Sequence, residues 1–150
     1  MVHIADTAPF NASAAALWQA LFAPAVLADI IPGCRELTQT GPVDFAGEIV
    51  LGIAAVAGRY SVDVHVEEAR EPAFTRLSGT VAGPTGTITG FASITLEEVS
   101  PEQTNFTYDG QATVSGALGH MSPRFIEGVA TTLIKQGLHR LEKRLAAEPT

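Results

Sequence analysis

The 150-residue chain is 46% hydrophobic and 17% charged, which predicts a single domain over residues 1–150 that buries about 70% of its unfolded surface. Its one cysteine, Cys34, excludes an intramolecular disulfide and fits a reducing compartment. Nine Lys and Arg against sixteen Asp and Glu give a net charge of −7, which excludes a nucleic-acid binder that works by neutralising phosphates.

Residues 2–10 alternate and predict a first strand. Within its span Asp6 stands without any Lys or Arg, so no signal peptide is expected and the expected location is the cytoplasm. Asn11 and Ser13 compete as N-caps of a short helix carrying Leu17, Trp18, Leu21 and Phe22. Pro24 starts a second short helix with Val26, Leu27, Ile30 and Ile31, and Pro32-Gly33 stops it. From about Glu36 to Ser115 the chain reads as strands. Alternation is cleanest in Tyr60, Val62, Val64 and Val66, with Arg59, Ser61, Asp63, His65 and Glu67 in the other phase. Turns are marked by Gly41-Pro42, Ala57-Gly58, Glu71-Pro72, Gly83-Pro84-Thr85-Gly86 and Ser100-Pro101. Links this short require antiparallel neighbours. Last comes a helix of about 22 residues and ~33 Å, capped by Ser122 with Pro123 at its first position. The predicted class is α+β. It is a helix-grip fold: a curved antiparallel sheet of about seven strands around a long C-terminal helix, with two short helices after the first strand.

The inward columns of that sheet keep admitting small residues. Gly79 sits between Leu77 and Val81, Gly90 and Ala92 between Ile88 and Ile94, and Gly110 and Ala112 between Tyr108 and Val114. Glycine inside a strand marks a bend or a close approach, and three on neighbouring strands predict volume left between sheet and helix. The expected cavity takes a hydrophobic small molecule. Its walls are expected from Leu27 and Ile31 of the second helix and from Ile49, Ile53, Tyr60 and Val62 of the early strands. Leu77, Gly90, Ile94, Phe106, Tyr108, Gly110 and Ala112 would come from the later strands, and Ile126, Val129, Ala130, Leu133 and Ile134 from the long helix.

Reactive chemistry finds little support. His3, His65, His120 and His139 are scattered without ligand spacing, so neither a metal nor a cofactor is expected. There is no G-x-S-x-G elbow and no phosphate loop. Asp63 and His65 share a polar strand face and read as solvated, as do Glu48 and Asp109. Cys34 reads as an inert thiol, and Trp18 as core. Four of the nine basic residues, Lys135, Arg140, Lys143 and Arg144, lie on the last half of the final helix, where they complement its dipole or make a local basic face.

The wording of the chain also resembles a known family. Phe10-Asn11-Ala12-Ser13, Leu17-Trp18, Leu21, Pro24, Leu27 and Ile31-Pro32-Gly33-Cys34 are similar to the opening of the CoxG-like proteins of carbon monoxide dehydrogenase, members of the START-like SRPBCC superfamily. Glu71-Pro72, Leu77-Ser78-Gly79, Ala92-x-Ile94-Thr95-Leu96, Thr107-Tyr108 and Gly116-x-Leu118-Gly119 follow in the expected order. The resemblance implies a hydrophobic ligand cavity, no shared catalytic residues, a lipid or quinone-like ligand, and association with a molybdenum-hydroxylase type redox enzyme at the membrane. Some members carry a hydrophobic C-terminal anchor, whereas this sequence ends at Thr150, so only transient, peripheral membrane contact is expected. The alternatives are a cyclase- or hydrolase-like enzyme using the same cavity, and a protein that serves purely for docking.

Overall fold

The structure, a computed structural model, describes residues 1–52 and 56–147. Strand β1 (Val2–Phe10) is followed by helices α1 (Ala14–Leu21) and α2 (Pro24–Ile30). Six strands come next: β2 (Cys34–Gly41), β3 (Asp44–Leu51), β4 (Gly58–Arg70), β5 (Phe74–Gly83), β6 (Gly86–Ser100) and β7 (Gln103–Ser115). A 3₁₀ turn over Gly116–His120 leads into the long helix α3 (Pro123–Ala147).

Local chemistry sets these boundaries. Of the two rival caps, Ser13 wins, its hydroxyl accepting from the Ala16 N–H at 3.2 Å. Pro24 opens α2, and Gly33, at φ +76°, turns the chain out of it into β2. Ser122 caps α3, accepting from the Phe125 N–H at 3.1 Å. Pro42-Val43 and Pro84-Thr85 each make a two-residue hairpin, with Gly41 opposite Asp44 and Gly83 opposite Gly86. The helix runs 25 residues, one turn beyond the periodicity that predicts it.

All seven strands form one antiparallel sheet in the order β1-β7-β6-β5-β4-β3-β2. The first strand therefore pairs with the last, and α1 and α2 carry the chain from one edge of the sheet to the other. Helix α3 runs alongside β1 and α2. Glu127 of α3 accepts the His3 N–H of the edge strand at 3.0 Å, which occupies a donor that an open edge would leave available.

Two packed clusters hold the ends of the molecule. One gathers Phe10, Leu17, Trp18, Ile30, Leu96, Phe106, Tyr108 and Leu141 around the crossing of α1, α2 and the second half of α3. Leu17 and Leu141 are fully buried there, each contributing about 1.5–3 kcal/mol through burial. Thr104, also fully buried, donates to the Ala12 carbonyl at 2.8 Å and ties β7 to the entry of α1. Arg144 reaches Asp29 at 2.8 Å and braces α3 against α2. The other cluster, around Val2, Val56, Tyr60, Leu118 and Ile126, holds the first turn of α3.

Between the clusters the concave face is stripped of side chains. Gly79 lies opposite Gly90, Gly90 opposite Ala112, and Ala92 opposite Gly110. These glycines have different reasons. A Cβ on Gly90 would strike the Gln111 carbonyl oxygen and come within 2.9 Å of the Ala112 Cβ, so the backbones there pass too close for any side chain. A Cβ on Gly110 would meet Ile4 and Ala92 at 3.5 and 3.6 Å, ordinary contacts. Gly90→Ala is therefore expected to lower Tm, at a cost of roughly 1–3 kcal/mol from overpacking. Gly110→Ala should hold or raise it, since alanine removes about 0.5–1 kcal/mol of glycine's strand penalty. Thermal melts of both variants check the pair, and equal shifts would contradict the distinction.

Candidate ligand cleft

The bare stretch of sheet opens into a cleft under α3. Its larger compartment, about 320 Å³, is floored by Gly79, Gly90, Ala92, Gly110 and Ala112. Its walls are Val2 and Ile4 of β1, Val64 of β4, Leu77, Val81 and Ile88 of the central strands, and Ile126 and Ala130 of α3. A second compartment of about 160 Å³ shares Val81, Ile88, Ile126 and Ala130 with the first. It continues to Ile49, Leu51, Val56, Tyr60, Leu118, Val129 and Leu133. The apolar side chains in the floor and walls of the larger compartment are mostly half-buried rather than packed, including Val64, Leu77, Val81, Ile88 and Ala130. The larger volume reaches the range of small-molecule pockets.

Most of the expected wall residues are brought together here. Leu77, Gly90, Gly110 and Ala112 lie in the larger compartment, Ile49, Tyr60, Val129 and Leu133 in the smaller, and Ile126 and Ala130 in both. Leu27, Ile31, Ile94, Phe106, Tyr108 and Ile134 instead belong to the packed cluster at the α1–α2 end. Those helices fold back against the sheet there and fill the space that the periodicity left open. Val62 is half-buried on β4 between Tyr60 and Val64 and lines neither compartment. Ile53 lies outside the described residues. The expected walls omitted Val64, Val81, Ile88, Leu51 and Val56, and also Val2, Ile4 and Leu118. Val2 and Ile4 reach the cleft through the pairing of β1 with β7, and the Leu118 N–H bonds the Thr85 carbonyl across the turn at 2.8 Å.

Electrostatically the cleft is neutral. Among the described residues lining it there is no carboxylate, amine, imidazole or thiol. Its phenol, Tyr60, is engaged by Val56 and Thr85. The ionisable groups singled out in the sequence lie on the solvent side. Asp109 meets His3 at 2.8 Å, Glu48 meets Arg59 at 3.5 Å, and His65 pairs with Asp44 at 2.7 Å. That hydrogen bond, helped by the charges of Asp44 and Glu67, holds the His65 imidazole above its ordinary pKa. Burial pushes the Cys34 thiol up, against a weaker opposing interaction with the Glu36 backbone, so the thiolate is disfavoured. Burial, with the charge of Asp6, likewise raises the Tyr108 phenol. Among the described residues no group of His, Cys, Asp and Glu could hold a metal ion, and no helix is long and apolar enough to cross a membrane.

The comparisons with known proteins agree with this geometry. A conserved protein from Geobacillus kaustophilus superposes with a TM-score of 0.93 at 26% identity, covering 97% of this chain and 95% of that one. A START superfamily protein from Mycobacterium smegmatis gives 0.73 at 13% identity, covering 95% of each chain. The protein XoxI from Bacillus cereus gives 0.72 at 14% identity, covering 98% of this chain and 97% of that one. No curated protein matches the sequence at a significant level. The description of the CoxG family, named for a subunit of carbon monoxide dehydrogenase, fits residues 9–146. With that match running from the end of β1 to the end of α3 on a START-like helix-grip fold, the chain belongs to the carbon monoxide dehydrogenase CoxG family.

Proposed function

We propose that this protein is a non-enzymatic accessory factor that binds a hydrophobic small molecule, a lipid or a quinone-like compound, in the cleft under α3 and serves a molybdenum-hydroxylase type redox enzyme. The observation that carries the reading is the neutral, half-open apolar cleft over a glycine and alanine floor. Family membership and the START-like fold support a small-molecule-binding accessory protein. The link to a carbon monoxide dehydrogenase type partner rests on the family's description. An enzyme working in the same space would need an acid or base aimed at its substrate, and the described lining offers a phenol already bonded on both sides. A carboxylate-headed ligand would have to bury its charge there without a partner, which is costly, so the ligand is uncharged where it enters.

Native mass spectrometry of protein purified from its own host, followed by organic extraction, tests the reading directly. A neutral apolar molecule at near one equivalent is the expected result. Protein that co-purifies with a redox enzyme equally well with and without extracted lipid would instead favour pure docking.

Ala112→Leu tests the cleft itself. Ala112 lines the larger compartment, so the longer side chain has open volume to enter. It is expected to raise stability by ~0.5–2 kcal/mol and to displace a lipophilic probe. Overpacking would lower stability by roughly 1–3 kcal/mol, so Tm with and without probe separates the outcomes by sign.

Peripheral membrane contact is proposed through the exposed basic side of α3. Because Arg144 is engaged by Asp29, the surface is better probed at Lys135 and Lys143, both exposed. Replacing both with Glu should weaken binding to anionic vesicles by about 1 kcal/mol per basic residue lost. Vesicle flotation at low salt checks this, and a wild type that does not float ends the membrane part of the proposal.

A further inference from the structure

A separate cavity of about 370 Å³ lies between α1 and the β2–β3 hairpin. Trp18 of α1 and Phe22 at its C-terminal cap line one part of it, their ring centroids 4.7 Å apart. Pro42 and Val43 of the hairpin line another, and Val43 is 38% exposed. Phe45 of β3 and Val66 and Ala69 of β4 complete the apolar lining. The hairpin is tied to β4 by the Val66 N–H, which donates to the Val43 carbonyl at 2.8 Å. None of these residues lines either compartment of the cleft under α3.

Unlike the cleft, this cavity includes a charge in its lining. Glu71 is exposed and, among the described residues, makes no hydrogen bond or ion pair. The cation next to it in sequence, Arg70, is already committed: it meets Glu68 at 2.9 Å, and its guanidinium lies 4.6 Å from the centre of the Phe74 ring. Gln39, also in the lining, donates its Nε2 to the Gly41 carbonyl at 3.0 Å, so its carboxamide oxygen is the group left to receive a donor. A carboxylate and a carboxamide oxygen both favour a positively charged donor. Aromatic walls favour the same partner, because the negative face of the ring attracts cations.

We propose that this cavity is a second binding site, for a small organic cation. An ammonium group sits beside Glu71 and Gln39, and the apolar body that carries it fills the space between Trp18, Phe22 and Pro42. The volume is that of a small-molecule site. Burial of the apolar body supplies most of the affinity, and Glu71, being exposed, supplies selectivity by a small factor. An anion of the same shape is repelled. The site stands independently of what the cleft under α3 binds.

Trp18 is the only tryptophan of the chain, so its fluorescence reads this cavity directly. The test titrates wild type, Glu71→Gln and Ala69→Leu with phenylpropylamine, phenylpropanol and phenylpropanoate, which share one carbon skeleton and differ in the charge of the end group. Thermal melts confirm that each variant is folded at the assay temperature. On wild type the amine should change the Trp18 signal saturably, with a Kd about two- to fivefold below that of the alcohol, and the carboxylate should bind weakest. Added salt should narrow the amine's lead. Glu71→Gln should bring the amine to the level of the alcohol and leave the alcohol's Kd unchanged. Ala69→Leu puts a larger side chain into the lining and should weaken all three probes. A wild type without a saturable signal overturns the proposal, as do equal affinities for the three probes. An amine preference that survives Glu71→Gln, or binding untouched by Ala69→Leu, places the cation elsewhere and overturns it as well.

Discussion

Where β5, β6 and β7 cross the middle of the sheet, peptide backbones face each other with almost no side chains between them. Gly90 sits against Gly79 on one side and Ala112 on the other, so near to the Gln111 carbonyl that it has no room for a methyl group. Close packing is the ordinary state of a protein interior, and here the sequence withholds the atoms that would achieve it. The sheet keeps its hydrogen bonds through the bare region, because glycine removes side chains without removing donors or acceptors. Helix α3 cannot collapse onto that floor, since its own large residues are committed at both ends. Ile126 is held by the cluster around Tyr60, and Leu141 by the cluster around Trp18.

The molecule is thus a beam on two supports. Stability comes from the ends, where fully buried Leu17, Leu118 and Leu141 and the satisfied hydroxyls of Thr75 and Thr104 lie. The cleft lies in the unsupported middle. This division explains why the cleft can remain apolar and neutral: orientation of α3 is fixed elsewhere, by Asp29 on Arg144 and by Glu127 on the His3 N–H. Polar anchors that would otherwise intrude on the site are displaced to its outside.

Much of this was readable from residue order. Period-two alternation placed the strands, Pro-Gly punctuation placed the turns, and Ser122-Pro123 placed the start of α3, all of which are local statements. The glycine columns announced a thinned inner face. What local reasoning could not supply was the position of α1 and α2 along that face. Leu27, Ile31, Phe106 and Tyr108 have the same apolar character as Leu77 or Val129, and only tertiary packing separates the filled end from the open middle. Val2 and Ile4 were hidden for a related reason: their neighbour in space, β7, lies about a hundred residues away in the chain. The partner of His65 was hidden in the same way, because only the register puts Asp44 directly opposite it.

The pairing of β1 with β7 also orders events in time. A chain emerging from the ribosome presents Val2 long before Ala112, its partner in the ladder, exists, and α3 is synthesised later still. Non-local closures of this kind are slow, because loop entropy must be lost before the contact is made. Until then the N-terminal strand is an unpaired edge and the concave face has no roof, a surface prone to recruit other chains. The cleft is therefore the last feature of the fold to come into being, and a stalled or truncated chain carries its apolar floor uncovered.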